Sequence, residues 1–224
     1  MPLILILFEC GIELIPKNIR DHPAVKKNFS SRIYSSQLLD NTLHFSAMKN
    51  LRNREKRGRP DITHSCLLNA LGSPLNNNGN LKLYIHTING KIFEFNPEIR
   101  IARNYNRFKG LMAKMLIDGS IVTENLKLIS SFKGTLKDLI DKFNTTKVYL
   151  FSSKGSLIND YKQLFTEDIL TNYVTIIGGF QKSSFSKNIL NLSENLISIS
   201  KYPLDAWVVT NRIITYYELT YGIL

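Results

Sequence analysis

Cysteine is nearly missing from this chain of 224 residues. Cys10 and Cys66 are the two present, and they form neither a CxxC pair nor a Cys/His cluster of metal-ligand spacing. A disulfide framework and a zinc ribbon are excluded on that ground, because both need more ligands set closer together. Acidic residues are scarce beside basic ones, 18 Asp and Glu against 29 Lys and Arg, which leaves a formal net charge of +11. A surplus of that size attracts polyanions, nucleic acid first and an acidic membrane surface second. Long apolar runs are absent too. Leu3–Phe8 is apolar, but no basic segment precedes it and Glu9, Glu13 and Lys17 follow within a few positions. It is too short for a membrane span and lacks the flanks of a signal peptide, so it predicts the buried first strand of a cytosolic protein.

The usual catalytic signatures are missing as well. None of the twelve glycines completes GxxxxGK[ST] or GxGxxG, and neither GxSxG nor HExxH occurs. ATP hydrolysis at a P-loop, a Rossmann turn, a nucleophile elbow and a zincin helix therefore have no support. His22, His44, His64 and His86 are scattered and read as surface or hydrogen-bonded core residues, so no metal site is expected.

What is present is a hydrophobic fraction of 43%, enough to build a core and to exclude global disorder. Short β-branched or apolar stretches predict strands at Leu3–Phe8, Leu81–Thr87, Lys91–Phe95, Lys147–Phe151, Val174–Ile177 and Leu196–Ile199. Helical periodicity predicts Leu43–Leu51, Thr63–Leu71, Asn106–Ile117, Leu136–Phe143 and Leu204–Leu219. In the last, Ala206, Val209, Ile213 and Tyr217 share one face. Asn89-Gly90 tolerates positive φ at both central turn positions and so joins Leu81–Thr87 to Lys91–Phe95 as a hairpin. The alternation elsewhere predicts an α/β fold with a mostly parallel sheet flanked by helices, the hairpin inserted into it.

Two basic concentrations stand out. Lys49, Arg52, Arg54, Lys56, Arg57 and Arg59 face a single acid, Glu55; Arg100, Arg103, Arg107, Lys109 and Lys114 face none and have Tyr105 and Phe108 between them. Runs so unbalanced can neutralise phosphates and release counterions, where a merely solvated face would mix signs. In Arg59-Pro60-Asp61 the carboxylate can hold the guanidinium in a bidentate pair, or cap a helix starting near Thr63. Gly178-Gly179 ends a strand where the carboxyl edge of a parallel sheet binds small molecules, although the pair equally suits a tight turn.

Gly58-Arg59-Pro60-Asp61-Ile62-Thr63-His64, Ser73-Pro74-Leu75-Asn76, Tyr84-Ile85-His86-Thr87, Asn96-Pro97, Arg100, Arg103, Arg107-Phe108-Lys109-Gly110-Leu111-Met112 and Ile197–Leu204 occur in order over nearly the whole chain. Together they resemble the ribosome-biogenesis pseudouridine methyltransferases of the SPOUT, or α/β-knot, superfamily, in their archaeal form without a long basic N-terminal extension. The resemblance implies one domain over 1–224 with a C-terminal trefoil knot and a family-specific extension at about 42–100. It implies methyl transfer from S-adenosylmethionine to N1 of a pseudouridine in a stem-loop of small-subunit ribosomal RNA, by a cytoplasmic homodimer with no metal and no membrane attachment.

Cofactor contacts carried over by the resemblance fall on Ile177, Gly178, Gly179, Ser183, Ile199, Ser200, Lys201, Tyr202, Pro203 and Leu204. RNA contacts fall on Arg59, Asp61, Arg100, Arg103 and Arg107. Arg59 is expected to stabilise charge developing on the base, with Asp61 orienting it. Three positions depart from the family pattern: Gly72 stands where Asp is common, Ala102 where Pro is usual and Ser183 where Gly is usual. Trp207, Tyr216 and Tyr217 suit either a dimer interface or the intrachain core. Two rival readings remain, a ribosome assembly factor that binds the same RNA without essential catalysis and a knot methyltransferase acting on a ribose hydroxyl or a tRNA base.

Overall fold

The computed structural model describes residues 2–28, 37–124, 126–144, 147–166 and 171–223. From the N terminus come β1 (Leu3–Cys10), α1 (Pro23–Asn28), α2 (Asn41–His44), α3 (Pro60–Leu71), α4 (Pro74–Asn77), β2 (Leu81–Thr87), β3 (Ile92–Phe95) and α5 (Tyr105–Asp118). Then follow β4 (Ser120–Thr123), β5 (Leu126–Phe132), α6 (Leu136–Asp141), β6 (Lys147–Leu157), β7 (Tyr173–Gly178), α7 (Lys187–Leu190), β8 (Leu196–Ser198) and α8 (Ala206–Tyr221). The strands make one sheet in the order β4-β5-β3-β2-β1-β7-β6-β8.

β1 lies inside the sheet, parallel to β2 on one side and β7 on the other. Leu3, Leu5 and Leu7 pack with apolar residues of α3, α5 and α8, and Ile4, Ile6 and Phe8 with those of α6 and α7. A strand covered on both faces needs no alternation, which is why Leu3–Phe8 reads as an unbroken apolar run. β6 pairs with β7 and β8 in parallel, so the carboxyl ends of β1, β6, β7 and β8 open on one edge. Gly155 permits the β6–β8 pairing, since a Cβ there would lie 2.5 Å from the Ile197 nitrogen.

The hairpin β2–β3 forms, but of the Asn-Gly pair only Gly90 takes a positive φ, 79°; the turn closes one residue earlier than a two-residue Asn-Gly loop would, with the Gly90 N–H donating to the Thr87 carbonyl at 2.9 Å. Its first strand is the parallel neighbour of β1, so the hairpin continues the main sheet. Beyond it β5 and β4 extend the sheet antiparallel. The periodicity did not reveal these two strands, which bury little beyond Ile121 and Ile129 and carry Ser, Thr and Lys on an edge. The helix expected at Leu43–Leu51 is regular only over α2; the chain then continues in turns that bury Ala47, Met48 and Leu51 against Ile15, Ile19, Val25 and Leu39. α8 lays Ile213, Ile214 and Tyr217 on the core and packs on α3. Tyr217 meets Phe165 edge-on at 5.0 Å and Tyr216 stacks on Tyr161 at 5.2 Å, so both serve intrachain packing. No helix among the described residues is long and apolar enough to cross a membrane.

At the end of β2 the His86 ring stacks on Phe8 at 4.4 Å, and its Nδ1 accepts the Glu9 N–H at 3.4 Å. Burial holds its pKa down at about 4, against an ordinary 6.5. The unfolded chain therefore binds this proton first. The stability that neutral His86 contributes is full above pH 6.5 and lost as pH falls toward 4, at up to about 1.4 kcal/mol per pH unit. Urea unfolding between pH 7.5 and 4.5 is expected to show that slope, and His86→Gln to flatten it.

Candidate functional site

A cavity of about 170 Å³ opens at the carboxyl ends of β6, β7 and β8 and the start of α8. Its walls are apolar at Phe151, Ile177, Phe180, Ile197, Leu204 and Val209, and hydroxyl-bearing at Ser152, Ser153, Ser183, Ser184, Ser198 and Ser200. Of the ten expected cofactor residues, Ile177, Gly178, Ser183, Ile199, Ser200, Tyr202, Pro203 and Leu204 line it. Gly179 and Lys201 do not. Gly179 turns toward β1, where a Cβ would lie 2.5 Å from Cys10 Sγ, so its missing side chain serves a close approach of the two strands. Lys201 is exposed.

The loop after β8 is stitched by its own serines. Ser198 Oγ donates to the Ser200 carbonyl at 2.8 Å, and Ser200 Oγ accepts the Tyr202 N–H at 3.0 Å. Opposite, Lys154 Nζ donates to Ser184 Oγ at 2.7 Å. Sequence reasoning missed Ser152, Ser153, Phe180 and Ser184. Ser152 and Ser153 directly follow Phe151, the last β6 residue paired with β7 and the end of the strand expected from the sequence, and Phe180 directly follows the glycine pair, which is the signal that could have found them.

Arg59 and Asp61 form the bidentate pair that their spacing allows, Nε to Oδ1 at 2.8 Å and Nη2 to Oδ2 at 2.6 Å. The helix starts earlier than the sequence suggests, at Pro60, whose fixed φ suits the first helical position. Asp61 thus lies in the first turn holding Arg59 and is not the cap. Its hydrogen bonds outweigh partial burial of the guanidinium, and together with the negative charges of Asp61 and Asp205 they raise the Arg59 pKa. Lys56, three residues before Arg59, holds its ammonium 4.8 Å from the centroid of the cavity-wall ring Phe180, so the segment that carries Arg59 adjoins the cavity.

Arg100, Arg103 and Arg107 are exposed, and no ion pair engages them among the described residues. Arg103 and Arg107 flank the start of α5, where Asn104 Oδ1 accepts the Arg107 N–H at 3.1 Å. Ala102, the position where the family has Pro, uses its carbonyl to accept from His64 Nε2 at 2.7 Å, and the His64 ring stacks on Phe108 at 4.2 Å. Gly72 ends α3 as its C-cap.

The basic run at Lys49–Arg59 is less free than its composition suggests. Lys56 is buried against Glu9, and Arg57 is paired with Glu13 through Nε at 2.7 Å and Nη2 at 2.6 Å. Their acids come from the N-terminal segment, distant in sequence, so the run looked unbalanced. Lys49, Arg52 and Arg54 remain exposed. Likewise Lys109 is buried on Asp40 at 3.0 Å, and Lys114 pairs with Asp118 at 3.2 Å.

The donor set fits a nucleoside-bearing cofactor: apolar walls for a purine, hydroxyls for ribose and carboxylate, and a glycine cradle that a Cβ at Gly178 would fill, 2.7 Å from the Phe180 ring. No group of three or more His, Cys, Asp or Glu among the described residues could hold a metal ion. Fold and site together define a class, an α/β enzyme with a small-molecule pocket at the carboxyl edge of its sheet and exposed arginines that are unpaired among the described residues. The model of the family described as EMG1/NEP1 methyltransferase matches residues 5–218, and the chain belongs to that family.

Relatives agree over the full length. The chain is 41% identical over 226 residues to "Ribosomal RNA small subunit methyltransferase Nep1" of Staphylothermus marinus, covering 100% of this chain and 98% of the relative. It is 39% identical over 224 residues to the protein of the same description from Thermococcus kodakarensis, covering 98% and 99%. The crystal structure of Archaeoglobus fulgidus Nep1 bound to S-adenosylhomocysteine superposes with a TM-score of 0.86 at 36% identity, over 98% of this chain and 99% of that one.

Proposed function

We propose that this chain methylates N1 of a pseudouridine in a stem-loop of small-subunit ribosomal RNA, using S-adenosylmethionine bound in the cavity at the ends of β6, β7 and β8. The observation that carries the reading is that cavity, lined by eight of the ten residues expected to hold the cofactor and set beside the Arg59–Asp61 pair, in a chain of a methyltransferase family. The bound cofactor supplies an electrophilic sulfonium methyl. Pseudouridine is joined to ribose through carbon, so its N1 is an N–H that can lose its proton and form a bond to carbon; in uridine the glycosidic bond blocks that nitrogen.

The chain's own task is then orientation and charge stabilisation. Asp61 holds the Arg59 guanidinium by two of its N–H groups, so its position is set before RNA arrives and its remaining donors point at charge developing on the base. Arg100, Arg103 and Arg107 take flanking phosphates and loop nucleotides while the target base leaves its stack. Ile177, Gly178, Ser183, Ile199, Ser200, Tyr202, Pro203 and Leu204 hold the cofactor through backbone groups and apolar contact. Gly179 supports them from behind, and Lys201 extends from the same loop. The enzyme works as a cytoplasmic homodimer whose C-terminal segment forms a trefoil knot, with the segment at about 42–100 a family-specific extension.

Incubation with labelled S-adenosylmethionine and two matched stem-loops, one carrying pseudouridine at the target and one uridine, tests this. Label in the pseudouridine RNA alone is expected. Label in both would move the target to a ribose or another base atom, and binding without label in either would favour an assembly factor.

A further inference from the structure

The cofactor cavity and the Arg59–Asp61 pair meet at a point that belongs to neither, the carboxyl end of β1. Glu9 adopts φ 51° there, in the left-handed region that a residue with a side chain occupies only under constraint. Its carboxylate pairs with Lys56 Nζ, and the two side chains are 16% and 9% exposed. From its other side the same ammonium stands over the Phe180 ring, 4.8 Å from the centroid. Phe180 is part of the cavity wall, and the absent side chain of Gly178 makes room for its ring.

Backbone contacts bring the same three segments together. Gly179 N donates to the Phe8 carbonyl at 2.7 Å, which ties the cavity segment to β1. A Cβ on Gly11 would lie 2.9 Å from the Arg59 nitrogen and 3.1 Å from the Lys56 carbonyl, so the 56–59 segment presses directly on the chain just past β1. Lys56 therefore belongs to the segment that presents Arg59 while its ammonium rests on the wall of the cofactor cavity.

We propose that Lys56 is a positioning residue that couples the cofactor cavity to the Arg59–Asp61 pair, through the Glu9 carboxylate and the Phe180 ring. The inference rests on the reading of the cavity as the cofactor site. Occupying the cavity fixes the Phe180 ring; the ring's attraction for the ammonium fixes Lys56, and Lys56 sets the segment from which Arg59 reaches the base. Coupling of this kind is reciprocal, so RNA on Arg59 tightens the cavity by the same factor.

The test is calorimetric titration of S-adenosylhomocysteine into the full chain, alone and with a saturating pseudouridine stem-loop. The wild type is expected to bind it about five- to tenfold tighter with RNA present. Lys56→Met keeps the stem and removes the charge, and should bring that ratio close to one. Lys56→Arg should keep most of it, because a guanidinium can both stack on Phe180 and pair with Glu9. If Lys56→Met does not fold, with Glu9 left buried and unpaired, Phe180→Leu tests the other arm with the ion pair intact and should also abolish the ratio. An unchanged ratio in the folded variants, even with a lowered melting temperature, would make Lys56 merely structural and overturn the proposal, as would a wild-type ratio of one. A wild type that binds no S-adenosylhomocysteine at all would overturn the cofactor reading itself, and the coupling with it.

Discussion

Arg59→Ala is expected to lower methyl transfer by about 10²–10³-fold, the cost of removing one preorganised donor aimed at developing charge, while affinity for S-adenosylhomocysteine stays nearly unchanged. The split follows from placement. Arg59 is held by Asp61 and lies outside the cavity lining, so its loss removes no cofactor contact. Asp61→Ala should fall short of that effect, since the guanidinium remains but its orientation is no longer set; Asp61→Asn, which keeps an acceptor for one of the two bonds, should fall between Asp61→Ala and the wild type. Arg59→Lys should recover little, because an ammonium cannot occupy both carboxylate oxygens in the same plane. Single-turnover rates with saturating RNA, beside calorimetric cofactor affinities, check this series. A loss of cofactor affinity in Arg59→Ala that matches its loss of rate would refute the assignment of roles.

Much of this arrangement could be read from the residues, for physical reasons that also explain what could not. β1 was legible because a strand buried on both faces is an unbroken apolar run, and the β2–β3 turn because Asn89-Gly90 has few conformational alternatives. The Arg59–Asp61 pair was legible because both partners lie within one turn of chain. β4 and β5 were not, since the edge strand and its neighbour bury little beyond Ile121 and Ile129 and so leave little pattern. The partners of Lys56, Arg57 and Lys109 were hidden for a different reason. Glu9, Glu13 and Asp40 lie 47, 44 and 69 residues away, so composition counted as free charge what folding had already neutralised. The cofactor loops stood between these extremes. Gly178-Gly179 signalled a close approach but not which side of the backbone it serves: a Cβ on Gly178 meets the Phe180 ring of the cavity wall, and one on Gly179 meets Cys10 of β1.

The hidden partners matter most at Asp40, and Lys109→Met is expected to destabilise the fold by about 3–5 kcal/mol, the range for breaking a buried pair by deleting one member. Asp40 is 3% exposed at its side chain and Lys109 9%. Besides Lys109, Asp40 receives the Tyr105 hydroxyl at 3.2 Å and the Thr42 N–H at 3.1 Å, and it caps α2. Burial alone would raise its pKa, but the bonds from Thr42 and Lys109 outweigh burial and hold it below 3.8. Its contribution is therefore present above that value and lost as pH falls below it. Without Lys109 the carboxylate stays buried against three neutral donors, the Thr42 N–H, the Thr42 hydroxyl and the Tyr105 hydroxyl. Asp40→Asn keeps an acceptor for Thr42 yet strands the ammonium, so it should cost a similar amount. Asp40→Asn with Lys109→Met removes both charges and should cost clearly less than the two changes summed. The consequence reaches the RNA face, because Lys109 and Tyr105 lie in the first turns of α5, the helix whose start positions Arg103 and Arg107. Urea unfolding at pH 7.5 measures the stability terms, and stem-loop affinity of each folded variant measures the second effect. Near-additive stability costs would show that Asp40 and Lys109 act separately, and unchanged RNA affinity would show that the arginines do not depend on the buried pair.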